Sequence, residues 1–232
     1  MQSSKRRTYL SLHSVINAWA KSGAKGAAQN AESVLQTMEN KYRQGDSSLK
    51  PNTRTYTSLI DCWAKSGEVN AAKKAEQILI KMQAKYEQTG DNTAKPNTHS
   101  ANAVMNACAF TTRNESKAEA LSIAFRVFEW LLMQRDFQPD AYTYTIMLSV
   151  CSNLLSRQDR ETRYTHAQEL FMKCRESGHV NDFVLRKLRH TVAQEEYLSL
   201  VDYRVNSSAN NLPPSWTRNS RVGKSSNRGK GS

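Results

Sequence analysis

Apolar residues recur along this chain at spacings of three and four, in blocks that come in pairs. In one block Tyr56, Leu59, Ile60 and Trp63 mark a single helical face. In the block after it, Ala75, Ile78, Leu79 and Met82 mark another. The second block has counterparts at Ala31, Val34, Leu35 and Met38, at Ala124, Val127, Phe128 and Leu131, and at Ala167, Leu170, Phe171 and Cys174. The pattern predicts pairs of helices, each with one stripe to bury. Neither helix of a pair can bury its stripe alone, whereas stacked pairs share a continuous core. The predicted class is therefore all-α, a solenoid of helix-turn-helix units.

The same phrase opens each pair. Lys50-Pro51-Asn52-Thr53-Arg54-Thr55-Tyr56-Thr57 returns as Lys95-Pro96-Asn97-Thr98-His99-Ser100-Ala101-Asn102 and as Gln138-Pro139-Asp140-Ala141-Tyr142-Thr143-Tyr144-Thr145. An earlier copy, from Tyr9 to Ile16, lacks the proline. The equivalent residues His13, Thr57, Asn102 and Thr145 lie 44, 45 and 43 positions apart. Proline ends the preceding helix, and Asn or Asp caps the next by accepting a free backbone N–H. Gly67, after Ala64-Lys65-Ser66, suits a left-handed helix end. The period divides the chain into units 9–52, 53–97, 98–140 and 141–182. Residues 1–8 read as a basic leader or a start inside a longer array, and 183–204 as capping helices. Residues 205–232 read as a basic, disordered tail, apart from the short stretch Leu212-Pro213-Pro214-Ser215-Trp216. The third unit is expected to carry a long link between its helices, from Thr111 to Leu121.

At these residues the chain resembles the pentatricopeptide repeat (PPR) family. The unit from Thr55 through Gly67, continued by Ala71-Ala72-Lys73-Lys74-Ala75 to Met82, carries the closest likeness, and the resemblance extends over residues 9–182. The units here are longer than the family's by most of a loop, and Gly178-His179-Val180-Asn181-Asp182 closes the fourth without a proline. Tetratricopeptide repeats, which bind proteins, are the neighbouring architecture, but the Pro-Asn/Asp opening is not theirs. The resemblance implies a right-handed superhelix whose first helices read single-stranded RNA, one base per unit. It also implies organellar RNA processing, stabilisation or translation by occupancy, in a mitochondrion or plastid.

By the same resemblance two residues per unit select the base: an early polar residue of the first helix, and the last residue of the unit. The pairs are His13 with Asn52, Thr57 with Asn97, Asn102 with Asp140, and Thr145 with Asp182. The family's code gives adenine for the second pair, uracil for the third and guanine for the fourth, while the first is not a standard pair. Taking Asn181 in place of Asp182 turns guanine into adenine. Short polar side chains suit this task because they meet a base edge without collision and offer donors or acceptors. The closing Asn and Asp residues are equally good N-caps, and the two roles are compatible. Leu10, Arg54, His99 and Tyr142, three places before the first residue of each pair, occupy the family's base-stacking position. The last three have planar faces suited to it, or serve simply as solvated helix starts. Lys21, Lys65 and Lys95 sit near helix ends, as phosphate contacts or as ordinary surface lysines.

Charge agrees with a polyanionic partner: 33 Lys and Arg against 21 Asp and Glu give +12. Six of the basic residues lie between Arg204 and Ser232, a stretch without acids, so the rest of the chain keeps half of that excess, +6. The four cysteines align with apolar core positions, Cys108 and Cys151 with Trp19 and Trp63. They read as packing residues in a reducing compartment rather than a metal or redox set. The five histidines lack metal-ligand spacing, and no Gly-rich phosphate loop is present. Some PPR proteins carry a metallonuclease domain after the array; here the only acids after Asp182 are Glu195, Glu196 and Asp202. The expectation is a non-enzymatic RNA binder without cofactor, membrane segment or small-molecule substrate. Its partners would be single-stranded RNA and, through it, an RNA-processing enzyme or other protein. The competing expectation is a protein-binding scaffold of tetratricopeptide type.

Overall fold

A computed structural model describes residues 2–201 and 209–220, and for residues 2–11 and 210 the backbone alone. Among the described residues the structure is all-α. Its units pair α1 (Gln2–Ser22) with α2 (Ala27–Arg43), α3 (Thr53–Lys65) with α4 (Ala71–Thr89), α5 (Thr98–Ala109) with α6 (Asn114–Leu132), and α7 (Ala141–Leu154) with α8 (Arg160–Glu176). Then come α9 (Asp182–Thr191), the short α10 (Gln194–Leu200) and a single turn, α11 (Pro214–Thr217). Helix α1 begins within the segment read as a leader. The long link expected in the third unit is short, because residues 114–121 form the first two turns of α6. Glu115 suits the start of that helix, where a carboxylate meets the positive end of the dipole.

The first helices start where the repeated phrase puts them. Asn52, Asn97 and Asp140 each accept the backbone N–H of the third helical residue, at 3.0, 2.9 and 2.8 Å. The hydroxyls of Thr55, Ser100 and Thr143 accept the cap's own N–H in return, which completes three capping boxes. Asn181 caps α9 in the same way, accepting from Val184 N–H at 3.0 Å.

Successive first helices α1, α3, α5, α7 and α9 pack extensively on one another, whereas successive second helices touch far less. The array therefore bends with the first helices on the inside. Its core runs unbroken from Ile16 through Tyr56, Trp63, Met105, Phe128, Met147 and Phe171 to Leu188. All four cysteines are buried, as the alignment predicts.

Polar ties hold the units in register. The Thr53 hydroxyl donates to the Lys95 carbonyl at 2.7 Å, and that of Thr98 to the Gln138 carbonyl at 3.0 Å. Lys50 pairs with Asp91 at 2.5 Å, and its counterpart Lys95 pairs with Asp136. Buried Glu39 accepts from the Tyr56 hydroxyl at 2.8 Å and pairs with Lys81 at 2.7 Å. Burial and the Glu39 charge push the Tyr56 phenol well above its usual range.

Candidate nucleic-acid interface

On α3, α5 and α7 the second residue of the helix points away from the core on the inner layer. Arg54, His99 and Tyr142 all reach solvent there, Tyr142 with 54 % of its surface exposed. Each lies beside a polar residue of the preceding first helix. Asn106 donates to the Tyr142 hydroxyl at 2.9 Å. His99 lies close enough to Asp61 to act on its charge, and Arg54 acts likewise on His13. The Leu10 side chain lies outside the described residues.

The residues expected to read bases are less open. Thr57 is 4 % exposed and Asn102 3 %, because the next first helix packs over each. Asn102 and Asp140 are brought together: the amide donates to the Asp140 carboxylate at 3.5 Å, and the amide oxygen accepts from the Thr143 hydroxyl at 2.8 Å. The Thr57 hydroxyl is buried with no hydrogen-bond partner, and Asn97 beside it is exposed. Thr145 is half-buried and donates to the Ala141 carbonyl at 2.8 Å. His13 is half-buried, with Nδ1 buried and unpaired, and burial together with Arg54 lowers its pKa. Its imidazole is therefore neutral at pH 7, one nitrogen a donor and the other an acceptor.

The fourth unit's register differs from the Asp182 expectation. Asn181 is the N-cap, the place held by Asn52, Asn97 and Asp140, and Asp182 is the first helical residue. The Asp182 carboxylate accepts the Ala209 N–H at 2.6 Å. With Pro absent from the closing phrase, only the cap geometry fixes which of the two closes the unit.

Among the lysines singled out, Lys95 is engaged by Asp136 and stands 4.8 Å from the Tyr86 ring centre. Sequence reasoning misses Asn106 and Asp61. Both follow a base-reading position by four residues, one helical turn along the same face, and that spacing is the signal that could have found them. Among the described residues no group of three or more His, Cys, Asp or Glu is placed to hold a metal ion, and no helix is long and apolar enough to cross a membrane.

Residues 47–83 match the family model of the PPR repeat, which covers the end of the first link, α3 and most of α4. No curated protein and no solved structure matches the chain. The matched unit is a PPR repeat, and it recurs along the array in its opening phrase, its caps and its helix pairing.

Proposed function

We propose that the chain binds single-stranded RNA along the inner layer of first helices, one nucleotide per unit. It acts by occupancy, shielding a transcript, opening a hairpin or bringing a processing enzyme to it, in a mitochondrion or plastid. The ladder Arg54, His99 and Tyr142 carries this reading. Three solvent-facing planar side chains recur at one place in successive units, and guanidinium and aromatic planes stack on unpaired bases with little regard to sequence. Base choice then falls to the buried polar residues beneath. A buried hydroxyl without a partner, such as that of Thr57, costs about 1–3 kcal/mol, which a base edge reaching it would offset. Because Thr57 and Asn102 are covered, such reading requires neighbouring first helices to part slightly.

The distribution of exposed apolar residues favours RNA over a peptide. Val69, Phe110 and Met133 lie in links, and Ile80, Met172 and Leu198 on helices outside the inner layer. Among the large exposed apolar residues described, first helices carry only Tyr142 and Phe183. A peptide groove on the inner layer would instead show a contiguous aliphatic patch.

The test is titration with labelled single-stranded RNA, single-stranded DNA and duplex RNA over a salt series, with Tyr142→Ala and Asn102→Ala alongside. The expected result is preference for single-stranded RNA, weakened about tenfold by Tyr142→Ala and with altered base preference in Asn102→Ala. Binding that ignores both substitutions and vanishes with residues 221–232 would sink the reading.

A further inference from the structure

Helix α9 continues the inner layer. It packs on α7 as α7 packs on α5, and Asn181 caps it as Asp140 caps α7. It is thus the first helix of a fifth unit, beyond the four that the repeated phrase marks. Its register is fixed by that cap: Phe183 takes the place of Arg54, His99 and Tyr142, and Arg186 the place of Thr57, Asn102 and Thr145.

Both residues depart from a mere capping role. The helix buries Val184, Leu185 and Leu188, yet leaves Phe183 64 % exposed. A helix whose only task is to close a core gains nothing from a phenyl ring in water. The Arg186 guanidinium stands 4.9 Å from the centre of that ring. Where α3 and α5 have the short, covered Thr57 and Asn102 and α7 the half-buried Thr145, this helix presents an exposed cation. Asp182, the acid on the same turn, is engaged by the Ala209 N–H. The remaining charge on the helix is basic, with Arg186, Lys187 and Arg189 in ten residues. A flat apolar ring with a guanidinium beside it matches a ligand that is both planar and anionic.

We propose that α9 is an end clamp for the RNA: the base of the nucleotide beyond the fourth unit stacks on Phe183, and Arg186 meets its phosphate. The inference rests on the RNA reading above, and it adds a nucleotide to the length of RNA the array holds. Continuity with the ladder on α3, α5 and α7, and the positive charge of α9, select an unpaired nucleotide over a peptide.

The experiment uses the full chain and labelled single-stranded RNAs lengthened one nucleotide at a time, from about four to about seven, at one nucleotide per unit. Phe183→Ala, Phe183→Trp and Arg186→Gln are compared with Tyr142→Ala and with Phe110→Ala, an exposed phenylalanine off the face. The proposal expects Phe183→Ala to bind about tenfold more weakly and to lose the gain on lengthening the RNA from about four to about five nucleotides. Phe183→Trp should keep both, and Arg186→Gln should flatten the salt dependence by about one phosphate. If Phe183→Ala matches the parent at every length while Tyr142→Ala is weakened, the clamp is overturned and the RNA reading stands. If the parent binds none of the RNAs, both fall.

Discussion

Asp61 is an acid placed a turn beyond a base-reading residue, where α5 has Asn106 and α7 has Ser149. Burial raises its pKa, against the opposing pull of Lys65 and His99. A carboxylate whose folded pKa lies above its unfolded one costs stability when ionised, and that cost is relieved as pH falls through the raised value. Its charge also faces the side expected to meet phosphates. Asp61→Asn should therefore raise stability at pH 7, by less than about 1 kcal/mol for a half-exposed group, and tighten RNA binding by about threefold. Both differences should shrink as the pH is lowered from neutrality into the acid range. Denaturant melts and RNA titrations at neutral and mildly acidic pH check this, and a less stable Asn variant would refute it. At this scale the site is legible in the sequence only in part. Period and caps locate Thr57, Asn102 and Tyr142, but a period names a helix face, not how closely the next helix covers it. Hence the burial of Thr57 and Asn102, and the Asn106 hold on Tyr142, emerge only from the packing.

At the scale of elements, the helix pairs follow from the apolar spacing, and the misreadings fall at junctions. The start of α6 reads as a loop because Asn114-Glu115-Ser116-Lys117 is wholly polar, yet Asn114 and Glu115 lie exposed in a first helical turn that buries only Ser116 of the four. The link from α8 to α9 is the shortest between units, and a distant segment completes it. Trp216 packs edge-on against Phe171 at 5.9 Å beneath Arg175, and its carbonyl accepts the Val180 N–H at 2.9 Å. Asn219 N–H donates to the Gly178 carbonyl at 2.8 Å. Gly178 has φ +73, and a Cβ there would stand 2.4 Å from Arg218 Cγ. Gly67 is equally left-handed, at φ +67, but open. Gly67→Ala should cost about 1 kcal/mol for its backbone alone. Gly178→Ala should cost more and should loosen residues 209–220, seen as faster proteolysis in that segment. Equal losses in the two variants, with unchanged proteolysis, would mean that the close approach is unimportant.

For the whole molecule, the repeated phrase makes the architecture legible, since a period repeated along a chain admits few folds. The fifth first helix escapes that reading because its opening phrase lacks both the proline and the Thr or Ser that completes the capping box. Charge is where array and tail separate. Residues 221–232 carry Arg221, Lys224, Arg228 and Lys230 and no acid, so a chain ending at Ser220 loses four positive charges while keeping the segment that docks on α8. Its RNA affinity should depend less steeply on salt, the slope falling by about 0.7 for each phosphate that the tail no longer neutralises, while its ranking of RNA sequences stays the same. A chain ending at Val201 also loses Trp216 and the cover over Phe171. In a linear array each unit is stabilised by its neighbours, so this deletion should lower the melting midpoint and release hydrogen-exchange protection first in α8 and α9, leaving α3 to α5 protected. Loss of sequence ranking in the first truncation would move base recognition from the array to the tail. An unchanged melt in the second would show that residues 209–220 add nothing to the end of the array.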